Sequence, residues 1–113
     1  MQILISLLVN TIAVIATGYI LPGVDISNFL TAVLVAIVLG VLNTFIKPIF
    51  LFLTLPINLI TLGLFTLVIN AIIVLIAGRI VTGFYVENFW WALIFSIVLS
   101  LVSGFLNSLT KNR

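Results

Sequence analysis

The residues with most scope for chemistry in this 113-residue chain are polar side chains set inside apolar stretches: Asn10, Asn43 and Asn70, with Ser96, Ser100 and Ser103 near the C-terminal end. None is a strong acid, base or nucleophile by itself. The chain holds no histidine and no cysteine, so imidazole acid-base catalysis, thiolate nucleophiles, thiolate metal sites and disulfides are all excluded. Asp25 and Glu87 are the only two carboxylates. They fall in turn-like segments with no accompanying nucleophile, base or metal set, which argues against a catalytic pair. The reading is therefore of a non-enzymatic protein with no cofactor, no metal and no identifiable small-molecule substrate.

What remains for the polar residues is hydrogen bonding in an apolar setting. Ala32, Ala36, Gly40 and Asn43 recur at three- and four-residue spacing, as do Ala92, Ser96, Ser100 and Ser103, so each set lies on one face of a helix. Ser6, Asn10, Ala13 and Thr17 form a similar line, and so do Thr66, Asn70 and Ala77. Small residues let helix backbones approach closely, and amides in hydrocarbon need partners. Such stripes predict helix-packing seams, with a polar path for ions or small solutes as the competing reading. Asn10 and Asn70 are placed so that they could meet near a pseudo-twofold axis along the membrane normal.

The elements that carry these stripes follow from composition. Apolar residues make up 65% of the chain and charged residues 5%, and the mean hydropathy is +1.56. That leaves too little polar surface to coat a water-soluble globule, so lipid is the expected solvent. Gly, Pro and charged residues delimit four apolar stretches, Ile3 to Ile20, Phe29 to Ile46, Ile57 to Ala77 and Phe89 to Leu106, each near the ~20 residues a helix needs to cross a bilayer. They lack the alternation of barrel strands, so each is expected to be a helix. The N-terminus has no basic region or small-residue cleavage site, so the first stretch is expected to be retained as a span.

Between the second and third stretches, residues 47–56 are apolar but too short to cross. With Pro48 and Pro56 near its ends, this connector is expected to be interfacial or re-entrant. Lys47 is expected to close the second helix and snorkel to the headgroups, and Trp90 and Trp91 to anchor the opposite boundary. Asn28 and Asn88 stand where N-caps are wanted. The segments Ile20 to Ile26 and Ile80 to Val86 contain short β-favouring runs that could pair as a small cap.

Offset by sixty residues, the chain matches itself at about 15 of about 42 positions from Leu4 to Phe45, including Asn10/Asn70, Gly18/Gly78, Gly23/Gly83, Asn28/Asn88 and Phe29/Phe89. Coincidence of the rarer Asn, Gly and Phe predicts an internal duplication. The expected fold is thus an all-α integral membrane domain over residues 1–113: four transmembrane helices as two tandem parallel hairpin repeats, 3–46 and 57–106, joined by the connector. With two helices per copy, both termini share one side. Lys47, Lys111 and Arg113 lie on that side and Asp25, Arg79 and Glu87 on the other, so the positive-inside tendency predicts cytoplasmic termini. No Lys/Arg cluster exists that could track nucleic acid.

The stretch Leu39-Gly40-Val41-Leu42-Asn43-Thr44-Phe45-Ile46-Lys47-Pro48-Ile49, then Leu53-Thr54-Leu55-Pro56-Ile57, Thr61-Leu62-Gly63-Leu64-Phe65 and Val68-Ile69-Asn70-Ala71, resembles the bacterial YvlD-like membrane proteins, grouped as a four-helix phage holin family, superfamily IV. The likeness covers essentially the whole chain, including Gly83-Phe84 and Phe89-Trp90. It implies a small bacterial inner-membrane protein of four helices and, through the holin label, permeabilisation by oligomers. It brings no active-site residues. The charged tail common in phage holins is reduced here to Lys111-Asn112-Arg113, against a lytic role. The function expected is a structural or interaction role in the envelope, with the bilayer and a second copy or another membrane protein as partners. The alternative is a holin-like or channel-like oligomer.

Overall fold

The structure, a computed structural model, describes residues 2–61 and 63–111, with side chains as far as Leu109. The chain runs α1 (Gln2–Ile20), β1 (Val24–Ile26), α2 (Phe29–Val41), a π-helical turn (Leu42–Ile46), α3 (Lys47–Leu53), α4 (Leu55–Ile60), α5 (Leu64–Ile80), β2 (Phe84–Val86) and α6 (Phe89–Lys111). In space the helices form a ring in the order α1, α2, α5, α6. Each packs on its two neighbours, while in the diagonal pairs α1/α5 and α2/α6 no Cα atoms come within 8 Å of each other among the described residues.

At the crossings sit residues that let backbones close up: Ala13, Ala32, Ala71, Ala77 and Ala92 are completely buried, beside Val14, Val35, Ile73 and Phe95. The outward faces are apolar as well, with Ile3, Leu4, Phe52, Ile60 and Leu101 exposed. A chain apolar both inside and out suits a lipid solvent. There, tight packing of small residues replaces hydrophobic collapse as the force between helices. Three helical runs are long and apolar enough to cross a bilayer: Gln2–Ile20, Phe29–Leu53 and Phe89–Leu109. The fourth, Leu64–Ile80, is apolar but shorter.

One end of the ring is closed by a two-stranded antiparallel ribbon, so the fold is not purely helical. Val24 pairs with Val86, Asp25 with Tyr85 and Ile26 with Phe84. The ladder is extended by Ser27 N donating to Gly83 O at 3.0 Å and Glu87 N donating to Gly23 O at 2.9 Å. Val24, Leu21, Val81 and Phe84 are buried beneath the ribbon, and Phe84 meets Phe95 with ring centroids 5.4 Å apart. Close approach explains the loop glycines. A Cβ at Gly23 would collide with the Trp91 ring, and one at Gly83 would lie 2.9 Å from Thr31 Oγ1, where the backbone also has φ of 97°. The caps at Asn28 and Asn88 are formed: Asn28 Oδ1 accepts from Thr31 N at 2.9 Å, and Asn88 Oδ1 from Trp91 N at 3.0 Å.

The middle of the chain departs from the sequence expectation. Helix continues from Phe29 to Leu53, so Lys47 lies inside that run rather than closing it, and residues 47–56 are helical, divided at Thr54 between α3 and the start of α4. Proline removes a helical donor and its ring clashes with the preceding turn. Here the π turn just before Pro48 widens the helix, with Lys47 N donating to Leu42 O, and Pro48 occupies the first turn of α3, where no N–H is required. Phe50 and Leu51 then pack against the core. The third helix starts at Leu64 instead of near Ile57. Gly63 takes a left-handed backbone (φ 88°) and its N–H donates to Asn58 O at 2.8 Å, which breaks the apolar run in two.

Candidate functional site

At the end away from the ribbon, α1, α2 with its π turn, and α6 line an open cavity of about 240 Å³. Six residues of the sequence stripes meet in its wall: Asn10, Ala36, Gly40, Asn43, Ser100 and Ser103. Asn10 and Gly40 also border a wider groove of about 550 Å³ between α1 and α2, with Ser6 and Thr44. Gly40, Asn43 and Ser100 are exposed, while Asn10 and Ser103 are half-buried. The helical spacing that makes a stripe on each helix thus makes one polar lining where three helices converge.

Toward the ribbon the lining turns apolar within a turn of each helix. Val14 follows Asn10 on α1, Val35 precedes Leu39 and Asn43 on α2, and Phe95 precedes Leu99 and Ser100 on α6; Val14, Val35 and Phe95 are all buried. The site has hydrogen-bonding amides and hydroxyls but no ionisable group among its lining residues. It can hold neutral polar groups or water. It carries no apparatus for general acid-base or nucleophilic catalysis.

The remaining sequence candidates lie elsewhere. Asn70 is half-buried on α5, diagonal to α1. The helices carrying Asn10 and Asn70 do not pack on one another, so the expectation that the two amides meet near an axis is corrected: the ring order separates them. Ser96 is buried one turn nearer the ribbon than Ser100 and outside the cavity lining, its Oγ donating its one proton to Leu93 O at 2.8 Å, a local back-bond. Trp90 is 67% exposed beside the ribbon, stacked edge-on with Phe89 at 5.6 Å. Trp91 is half-buried against Gly23 and so packs the cap. The Lys47 side chain is half-buried.

Sequence reasoning missed Asn58. Its Oδ1 accepts from Thr66 Oγ1 at 3.2 Å, its Nδ2 donates to Thr54 Oγ1 at 3.4 Å, and its carbonyl receives Gly63 N, so one side chain ties α4 to the start of α5. The spacing of Thr54, Asn58 and Thr61 at three- and four-residue steps was the available signal. It is split between the expected connector, which holds Thr54, and the expected third span from Ile57, which holds Asn58 and Thr61. Thr11 was also passed over. It is buried, and its Oγ1 has no hydrogen-bond partner.

Apolar helices of spanning length, small residues at their crossings and an apolar outer surface define a multi-pass membrane protein. Comparison with known proteins makes this specific. The chain belongs to the family described as mycobacterial 4 TMS phage holin, superfamily IV, whose model matches residues 1–105. It is 35% identical over 98 residues to the uncharacterised membrane protein YvlD of Bacillus subtilis, covering 86% of this chain and 82% of that one. It is 42% identical over 83 residues to an uncharacterised protein of Streptomyces coelicolor, covering 70% of this chain and 66% of that one. No solved structure matches it.

Proposed function

We propose that this chain is a non-enzymatic, self-associating protein of the bacterial cytoplasmic membrane with a structural or interaction role in the envelope. One observation carries the reading. Asn43 and Ser100 expose polar side chains beside Gly40, in a lining shared by three helices that are otherwise largely apolar along their spans. Lipid offers such groups no hydrogen bonds, and a second copy or another membrane protein does. The holin family's association with membrane oligomers supports the same direction.

The architecture proposed beneath this is one domain, residues 1–113, built as two tandem parallel hairpins with both termini cytoplasmic. Support comes from hydrogen bonds that recur at the sixty-residue offset: the two Asn caps, Ser27 N to Gly83 O against Glu87 N to Gly23 O, and Leu21 N to Thr17 O against Val81 N to Ala77 O. Single cysteines test the orientation, since the native sequence has none. Ser27→Cys should react with an impermeant thiol reagent from outside and Ser108→Cys from inside; the reverse pattern overturns it.

Self-association is tested by oxidative cross-linking in native membranes. Asn43→Cys should give a disulfide-linked dimer more readily than Ile3→Cys on the outward apolar face. Equal yields remove the proposed contact. A second reading, a holin-like oligomer that lets ions or small solutes through, is favoured by the polarity of the same cavity. The apolar plug of Val14, Val35 and Phe95 speaks against a path through one chain. Controlled expression with membrane-potential and dye-leakage measurements separates the two: depolarisation abolished by Asn43→Leu supports permeation, and unchanged permeability at high expression removes it.

A further inference from the structure

Two grooves flank the ribbon at equivalent places in the two halves. One, about 470 Å³, runs along α5 and β2, and includes Ile72, Leu75, Ile76, Gly78, Arg79 and Tyr85. The other, about 510 Å³, runs along α1 and β1, with Ile15, Gly18, Tyr19 and Asp25 among its lining. Both volumes fall within the ~300–1,000 Å³ usual for ligand sites. They share a shape and differ in chemistry. Where the first has Arg79 the second has Tyr19, and where the first has Tyr85 the second has Asp25. Their floors differ too. A Cβ at Gly18 would collide with the Ile26 side chain, whereas one at Gly78 would make ordinary contacts with Phe84 O at 3.8 Å and Phe84 Cδ2 at 4.0 Å, so the first groove is open at its glycine and the second is covered.

We propose that the α5/β2 groove is a binding site for an anionic phospholipid, one acyl chain lying along Ile72, Leu75 and Ile76 and the phosphate held by the Arg79 guanidinium and the Tyr85 hydroxyl. The observations commit the site to that occupant. The groove lies at the end of a transmembrane helix, where headgroups are. Its length is apolar and its mouth cationic. A guanidinium presents paired donors that match phosphate oxygens. Arg79 also stands in the last turn of α5, where a cation complements the helix dipole. That role alone requires no groove and no selectivity among lipids. Asp25 is the cross-strand partner of Tyr85 and shares its face of the ribbon, so its carboxylate would stand near the phosphate and oppose it. Glu87 follows β2 and adds a second opposing charge beyond Val86.

The test is native mass spectrometry of the full chain in mixed phosphatidylglycerol and phosphatidylcholine. The wild-type protein should retain phosphatidylglycerol preferentially. Arg79→Gln should lower that preference about fivefold, the effect of one cation near an anionic headgroup. Asp25→Asn should raise it, Gly78→Leu should displace lipid of both kinds, and Lys47→Gln should change nothing. Arg79 and Asp25 are surface positions, so those variants remain informative even where Gly78→Leu folds poorly. Equal retention of the two lipids by the wild type, an unchanged preference in Arg79→Gln, or a loss in Lys47→Gln instead would each overturn the site. So would competition by glycerol 3-phosphate as strong as that by phosphatidylglycerol, which would mean that the site reads free phosphate and not lipid.

Discussion

The ribbon end and the opposite end of the bundle differ in how closely the two halves of the chain correspond. At the ribbon the halves make matching hydrogen bonds and matching close contacts. Both loops bring a glycine against the second helix of the other half, Gly23 under Trp91 and Gly83 under Thr31, and both second helices begin on an asparagine cap. At the other end they part. One half carries a π turn, Pro48 and two short helices, whereas α6 continues unbroken to Lys111. A cap built from backbone hydrogen bonds and close contacts constrains both halves equally. The far end, freed of that constraint, is where the lining of Asn10, Asn43, Ser100 and Ser103 has room to form.

The comparison is broken most severely in the core beneath the cap. Phe95 and Val35 occupy equivalent positions and both are fully buried, but the aromatic ring fills far more volume and also meets Phe84. Phe95→Ala should cost about 3–5 kcal/mol. Val35→Ala, with less volume removed, should cost less. Denaturant titration in detergent micelles measures both, and equal losses would mean that the two halves share the core load despite their different side chains.

The loop glycines come next. Gly83→Ala adds a Cβ where φ is 97° and Thr31 Oγ1 is 2.9 Å away, which should cost about 1–3 kcal/mol. Gly23→Ala meets the broad Trp91 ring and should cost a similar amount. A much smaller loss at Gly23 would show that Trp91 can move aside, and that the matched geometry is not matched in rigidity. Below these fall the caps, where Asn28→Ala and Asn88→Ala should each cost about 1 kcal/mol in the same titration.

The sequence made the cap end more legible than the far end, for physical reasons. Asn caps and loop glycines are local signals, read from a few neighbouring residues, and β-branched runs on both sides of a turn suggested that the loops could pair. The small-residue stripes foretold the lining at Gly40, Asn43, Ser100 and Ser103, because helical spacing alone places those residues on one face. Asn70 was misjudged because which helices are neighbours is a tertiary fact. A ring order of α1, α2, α5, α6 sets Asn10 and Asn70 on opposite corners, and no spacing along the chain encodes that. Pro48 misled for a different reason. Proline usually ends a helix, and only the π turn at Leu42–Ile46, which leaves no compositional mark, allows the helix to pass it.

Thr11 gives the smallest and sharpest comparison, since its equivalent in the second half is Ala71 and both are buried. Thr17, two turns further along α1, donates its hydroxyl to Ala13 O at 2.7 Å, whereas Thr11 Oγ1 has no partner. A buried hydroxyl without a hydrogen bond is a cost to the fold, and replacing it by a methyl of the same shape removes that cost without opening a cavity. Thr11→Val should therefore leave stability unchanged or raise it by up to about 1 kcal/mol, while Thr17→Val should lower it by about 0.5–1.5 kcal/mol. A clear loss in Thr11→Val would mean that its hydroxyl is hydrogen-bonded after all, by a water held inside the bundle.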